Sequence, residues 1–515
     1  MFLPGTLKER QVKSIQEKMS KSLKAVSPIL SCSKLLRSDP FINGTWVKCK
    51  KTFPVYSPST GEHLIDVGDV EEEHVQLAID AAANSLKDWS MLSGKERGAL
   101  LITFYENVMI HKEPLAQIMS AECGRPIKKT RLEVDYGASF LQWFAEESKR
   151  IYGDMIPAPS NSSRRFVLKR PVGVVGLITP WNFPLAMITR KLGAAMAAGC
   201  TSVIKPSEET PLTALALAAI AEESGIPAGV INVLTCSSES TPMVGDLLCD
   251  SQIVRKISFT GSTATGKLLL KKSASSVKRM SLELGGNAPF IVFNSADIDL
   301  VVRAALSAKF RANGQTCIAA TRFLIQDGVH QNFIQEMTKA VKSLVVGDPF
   351  DQGTDVSSLI NEKGMKKVET HVQDAISKGA LPLVGCERHR LGPNFYKPSI
   401  IDGCDETMLV MKEETFGPVI SVMKFHSEED AIRIANNSKY GLAGYVFSQD
   451  IAQIVRLSEN IEVGMLGVND GAISSEMIPF GGIKESGIGR EGSKYGIDEY
   501  LDLKFVSLGG LKSSL

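Results

Sequence analysis

Net charge is nearly absent from this 515-residue chain: 58 Lys and Arg stand against 57 Asp and Glu, a balance of +1. That balance supplies no electrostatic footprint for nucleic acid, and no long basic run supplies one locally. Cysteine is scarce. Nine residues in 515 are too few for a disulfide scaffold, and the closest two, Cys236 and Cys249, lie 13 residues apart. Neither C-x-x-C nor H-x-x-x-H occurs, which argues against a thioredoxin-type site and against structural zinc. The chain therefore reads as a protein of a reduced compartment with free thiols, one of them available for chemistry. Long apolar runs are missing as well. The longest notable uncharged stretch, residues 171–189, holds three prolines, two glycines and Trp181-Asn182. It has the length of a membrane span but the composition of a strand followed by an irregular loop. There is no internal repeat and no low-complexity block.

What is present is ordinary globular composition, 43% hydrophobic and 22% charged, in a length that suggests about three domain-sized pieces. The N-terminus differs from the rest. Residues 20–37 contain four basic residues, five serines and no acid. That is the composition of a mitochondrial transit peptide; a solvated tail is the plain alternative. The folded pattern begins near Phe41-Ile42-Asn43-Gly44.

Residues 70–150 read as helical, with apolar residues at i, i+3 and i+4 in 70–89 and 94–111. The segment 164–175 reads as one strand. From residue 173 to 284, short apolar strands (VGVVGLI, TSVIKP, VINVLT, KISFTG, RMSLEL) alternate with helical segments. This predicts βαβ units and a parallel sheet, with ligands beyond the carboxyl ends of its strands. A second alternating series starts at Phe290 and predicts a second α/β unit. The C-terminal segment reads as a short helix and a lone strand, which needs a partner in segment 164–175 or in another subunit.

Several motifs sit at those strand ends. Gly261-Ser262-Thr263-Ala264-Thr265-Gly266 follows the strand KISF and opens a helix, an arrangement that admits phosphate to free N–H groups but also describes an ordinary capped turn. Lys205-Pro206-Ser207-Glu208 ends the strand TSVI and offers donors and acceptors to ribose hydroxyls. Gly487-Ile488-Gly489-Arg490-Glu491-Gly492 has the G-x-G-x-x-G spacing, but it follows a polar loop and reads as turn rather than as a pyrophosphate site. Cys317 follows a polar, glycine-containing lead-in, where a thiol pKa is expected to fall. Glu283 ends an apolar strand, where burial would raise its pKa toward that of a general base.

Together with Pro180-Trp181-Asn182-Phe183-Pro184 and Glu414-Thr415-Phe416-Gly417-Pro418, these motifs resemble the NAD(P)-dependent aldehyde dehydrogenase superfamily, in order, from about residue 40 to 511. Pro479-Phe480-Gly481-Gly482-Ile483-Lys484, GREGSKYGIDEYL, Ile473-Ser474-Ser475, SKYGLAGYVFS and IEVGM resemble the branch that oxidises succinate semialdehyde. The resemblance implies Cys317 as nucleophile, Asn182 and the Cys317 N–H as oxyanion donors, and Glu283 as the base that activates water. It implies an NAD site built from Trp181, the 205–208 and 261–266 segments, Glu414 and Phe416, with Glu208 repelling a 2′-phosphate. It implies Arg190, Arg311 and Ser474 as anchors for a substrate carboxylate, and no metal. Other aldehydes, glutarate semialdehyde or a general aliphatic one, are the alternative substrates. Some relatives carry a second cysteine two residues after the nucleophile; here that position is Ala319, so a disulfide switch there is not expected.

The implied fold is α/β: a Rossmann-type parallel-sheet cofactor domain (39–150 and 174–285), an α/β catalytic domain (286–484) and a small β oligomerisation element (151–173 and 485–515), preceded by a transit segment (1–38). The implied assembly is a homotetramer in mitochondria.

Overall fold

The computed structural model describes residues 34–511. The transit-segment reading falls mostly on residues 1–33, outside the described residues. Packing begins earlier than the sequence pattern suggests, since Leu35 is already buried in the core.

The first sheet has eight strands, and its parallel centre runs, from one side to the other, Arg279–Glu283, Val254–Thr260, Val174–Ile178, Thr201–Lys205 and Ile231–Val233. In chain order this is 5-4-1-2-3, the doubly wound arrangement. Its crevice lies where the strand order reverses, between Val174–Ile178 and Val254–Thr260. Strands Val174–Ile178, Thr201–Lys205 and Ile231–Val233 are buried on both faces, which explains how few polar residues they carry. Helices Glu72–Met91, Gly94–Ile110, Lys112–Cys123 and Ile127–Glu147 supply the preceding helical layer. The second of them starts at a capping box: Ser93 Oγ accepts from the Glu96 N–H, and the Glu96 carboxylate accepts from the Ser93 N–H at 2.7 Å.

The second sheet has seven strands in the order Leu381–Val384, Ser399–Asp402, Val419–Phe425, Ala320–Gln326, Ala288–Val292, Ala443–Phe447 and Met465–Val468, all parallel but the first. A third, three-stranded antiparallel sheet joins Asp154–Ile156, Arg164–Pro171 and Leu501–Leu508. The lone C-terminal strand therefore finds its partner within the chain.

One sequence expectation changes here. Segment 164–175 is not a single strand. Arg164–Pro171 pairs with Leu501–Leu508, Val172 N–H still donates to Tyr500 O at 3.0 Å, and from Val174 the backbone pairs instead with Thr201 and Val254. The halves differ in character, RRFVLKRP half-exposed and VVGLI fully buried, and the chain changes sheets at Val172-Gly173, where the basic residues stop. No helix among the described residues is long and apolar enough to cross a membrane.

Candidate active site

The carboxyl ends of the first sheet bring together segments far apart in sequence. Glu283 is the last residue of its strand and is 2% exposed. The strand is held from its other edge by Gly487–Ile488, which pairs antiparallel with Leu282 and Glu283, and by Ser486, whose carbonyl accepts the Leu284 N–H at 2.9 Å. Neither carboxylate oxygen of Glu283 has a hydrogen-bond partner among the described residues. Burial, and then the nearby Glu491, push its pKa well above the ordinary carboxylate value, while Arg190 and Lys191 oppose them.

Cys317 lies in a loop folded against two others. Gly314 has φ +77°, and a Cβ there would meet the Gly417 carbonyl oxygen at 2.2 Å; a Cβ on Gly286 would meet the Cys317 carbonyl oxygen at 2.3 Å. Only glycine permits these two approaches, and they set the 314–317 loop against both the Glu283 and the Glu414 segments. Asn182 Nδ2 donates to the Gln315 carbonyl at 2.9 Å, which puts its amide beside the same loop. The Asn182 Oδ1 is buried without a partner.

The expected low thiol pKa is not what the surroundings impose. Burial, then the charges of Glu414 and Glu283, push the Cys317 thiol up to about 12, and Arg190 offsets this only in part. The loop is polar in sequence, but residues 312–316 are buried, Cys317 is only partly exposed, and two of its neighbours are acids.

Of the residues expected to hold a cofactor, segments 205–208 and 261–266 lie at the carboxyl ends of strands Thr201–Lys205 and Val254–Thr260. Ser262 caps helix Thr263–Ser273 by accepting from the Thr265 N–H at 3.2 Å, and Ser262, Ala264 and Thr265 are exposed. Gly266 is packed so closely on Leu284 that a Cβ would meet it at 2.4 Å. Lys205 Nζ lies 3.5 Å from the Glu208 carboxylate, on the strand next to the crossover, with Pro206 and Ser207 between them. Trp181 and Phe416 meet edge to face at 5.6 Å. Phe416 has φ +53°, a costly conformation for a bulky residue and of the kind held at functional sites. Glu414 accepts the Gly286 N–H at 3.0 Å, and burial raises its pKa to about 7.

Arg190, Arg311 and Ser474 converge on a residue that sequence reading missed, Tyr136 of helix Ile127–Glu147. Its hydroxyl lies 2.6 Å from Ser474 Oγ and accepts from Arg190 Nη1 at 3.4 Å. Its ring carries the Arg311 guanidinium at 5.3 Å, and Phe183 carries it at 5.7 Å. Arg311 follows helix Ile298–Phe310, whose start is fixed by Asp297 accepting from the Asp299 and Leu300 N–H groups. It has no ion pair with any described residue.

Arg190 is different. It is 1% exposed, its Nε is 2.5 Å from Glu491 Oε2, and its guanidinium stacks on Phe480 at 4.1 Å. Lys191 pairs with the other Glu491 oxygen and donates to Thr260 Oγ1 at 2.6 Å. The expected pair of free guanidiniums is thus one free and one already matched. Glu491 sits inside the G-x-G-x-x-G run read as plain turn. The run is no phosphate loop, but its charged interior was the overlooked signal: an acid in a glycine-rich turn is here the counter-ion of two buried cations.

Residues 46–506 match the Aldehyde dehydrogenase family. The chain is 53% identical over 478 residues to mitochondrial succinate-semialdehyde dehydrogenase of Rattus norvegicus, covering 93% of this chain and 91% of that protein. Among solved structures it resembles an NADP-dependent enzyme of E. coli, with TM-score 0.91 at 46% identity over 92% of this chain and 98% of that one. It also resembles betaine aldehyde dehydrogenase of Staphylococcus aureus in complex with NAD+, with TM-score 0.91 at 34% identity over 95% and 98% of the two chains. With this extent of likeness, the chain belongs to the aldehyde dehydrogenase family and is an oxidoreductase that acts on an aldehyde with NAD(P).

Proposed function

We propose that the enzyme oxidises succinate semialdehyde to succinate, with NAD as the preferred cofactor. The observation that carries this reading is Arg311. Its guanidinium rests on two aromatic rings beside the Ser474 and Tyr136 hydroxyls, six residues before Cys317, with no carboxylate of the described residues paired to it. A guanidinium fork flanked by hydroxyls suits a carboxylate at the far end of the aldehyde. The relative from rat bears the same substrate in its name.

Cys317 Sγ attacks the aldehyde carbon, and the Asn182 amide and Cys317 N–H stabilise the oxyanion. With so high a resting pKa, the thiol gives up its proton only when a base or bound charge assists it. The exposed start of helix Thr263–Ser273 would hold a dinucleotide's phosphate, Lys205 and Glu208 would meet a ribose, and Glu414 and Phe416 would hold the end nearest Cys317. When bound, the nicotinamide supplies the hydride acceptor. Glu283, buried with neither carboxylate oxygen hydrogen-bonded to a described residue, removes a proton from the water that releases the acid from the Cys317 thioester. The Glu208 carboxylate disfavours a 2′-phosphate, and this supports NAD over NADP.

One kinetic panel tests the substrate and cofactor together: succinate semialdehyde and butanal, each with NAD and NADP. A charge-assisted bond contributes about 1.5–3 kcal/mol, so Arg311→Ala should cost roughly 10- to 150-fold in kcat/KM for the semialdehyde and leave butanal nearly unchanged. Equal losses for both aldehydes would make Arg311 a loop-positioning residue. Glu208→Ser should narrow the NAD/NADP ratio by roughly tenfold; an unchanged ratio removes Glu208 from the site.

The small antiparallel sheet supports an oligomer, with a homotetramer as the proposed form. Leu503 and Phe505, two residues apart on one face of its edge strand, expose 71% and 57% of their surfaces, an apolar pair that a second copy could cover. Mitochondrial import rests on the acid-free 20–37 segment and on the compartment named for the rat relative. Residues 1–40 fused to a reporter should enter mitochondria, and a diffuse signal would return the segment to a plain basic tail.

A further inference from the structure

We infer that a cavity at the opposite end of the eight-stranded sheet binds a polyphosphate. The cavity measures about 830 Å³, a size that holds small-molecule ligands. Lys95 and Arg97 of helix Gly94–Ile110, Lys149, and Lys169 and Arg170 of strand Arg164–Pro171 line it, and among the described residues no carboxylate does. On a chain whose charges cancel to +1, five cations around one cavity are a local excess.

The cavity is separate from the catalytic crevice. Its floor includes Pro171 and Gly173, just before strand Val174–Ile178, and Ala198, just before strand Thr201–Lys205. It therefore lies at the amino ends of these strands, whereas the cofactor crevice lies at their carboxyl ends. A five-residue strand separates the two by roughly 17 Å, and no residue of the proposed active site lines the cavity.

The state of the cations points to the ligand. Lys169 is paired with Asp498 at 2.6 Å. Lys95, Lys149 and Arg170 have no ion pair among the described residues. Arg97 is 7% exposed and forms no ion pair among the described residues, with the charge of Glu96 nearby: its Nε donates to Ala197 O at 3.0 Å and its Nη1 to Leu92 O, both at helix C-termini. Burial lowers its pKa from the usual arginine value, a cost that a bound anion would relieve. A single carboxylate would use one planar fork. Several ammonium groups spread over three elements, with one buried guanidinium behind them, match a chain of phosphate oxygens instead.

The test is calorimetric titration of inorganic tripolyphosphate into the full-length enzyme saturated with NAD, so that the cofactor site is filled. Ionic strength is held constant, and sulfate is the control. One tripolyphosphate should bind per chain, sulfate should not, and Lys149→Glu should weaken Kd about tenfold or more with kcat and the KM for NAD unchanged. The milder Lys95→Gln/Lys149→Gln variant, at exposed positions, should weaken it in the same direction and guards against misfolding. ATP in place of tripolyphosphate separates the sources: equal affinity identifies the phosphate chain as the ligand, and tighter binding adds a nucleoside to it. No heat with tripolyphosphate, or an unchanged Kd in both variants, overturns the proposal. So does a change in oligomer mass in Lys149→Glu without any tripolyphosphate binding, which would assign the cavity to acidic residues of a second copy.

Discussion

Cys317 has two flanks built from similar side chains in different surroundings. On one flank Glu283, Glu491, Arg190 and Lys191 are all buried, and the two cations share Glu491 as their counter-ion. On the other, Arg311 is half-buried and rests on Tyr136 and Phe183 with no carboxylate. A buried pair uses its charge inside the protein, where breaking it is costly. A guanidinium lying on aromatic faces is held by its π contacts and keeps its N–H donors for a ligand. The first flank thus suits chemistry that needs a shifted acid, and the second suits selection of a charged substrate.

The largest expected effect lies on the buried flank. Glu283→Gln should lower kcat by about 10²- to 10⁴-fold, the usual contribution of a general base, while a burst of NADH persists because acylation needs Cys317 and not Glu283. Because the folded-state pKa of Glu283 is raised, its basic form is gained only as pH rises through that value. Wild-type kcat should therefore climb with pH beyond the ordinary carboxylate range, and the variant should lose that limb. Absence of the burst with cofactor binding intact would place Glu283 before hydride transfer.

Next comes Arg190→Met. Arg190→Met leaves Glu491 paired with Lys191 but removes the guanidinium packed on Phe480, so Tm should fall, and kcat/KM should fall by the same factor for succinate semialdehyde and butanal. A loss confined to the semialdehyde would return Arg190 to the carboxylate site and erase the contrast between the flanks. The smallest effect belongs to Tyr136→Phe. It keeps the ring beneath Arg311 and removes one hydroxyl, so about 0.5–1.5 kcal/mol should appear as a several-fold higher KM for the semialdehyde alone. A larger loss than for Arg311→Ala would make the hydroxyl, and not the guanidinium, the main anchor.

Much of this arrangement is legible in the chain itself. The strands around Val174, Thr201 and Val254 are short, apolar and spaced by helical segments, because a parallel sheet buried on both faces tolerates little else. Ser262 and Thr265 announce a helix start, since a hydroxyl must satisfy a free N–H there. Tyr136 is not legible. It lies on a long amphipathic helix where an aromatic residue reads as core, and only the meeting of that helix with the 311 and 474 segments gives its hydroxyl a role. The Cys317 pKa misleads for a related reason. Local polarity is a property of sequence, but the dielectric around a thiol is set by whatever packs on it, here the Gly286 backbone and the acids Glu283 and Glu414.

The sequence by itself determined the alternation that builds two parallel sheets, the motifs at their carboxyl ends and the order in which Asn182, Glu283, Cys317 and Glu414 occur. These rest on short-range rules: period, turn chemistry and helix capping act within a few residues. Tertiary structure alone decided which charges are free. Glu491 neutralises Arg190 across 301 residues of chain and leaves Arg311 unmatched, and Lys95, Lys149 and Arg170 gather around one cavity although the net charge is near zero. Electrostatic energy depends on distance and burial in space, and neither quantity is written in the order of the residues.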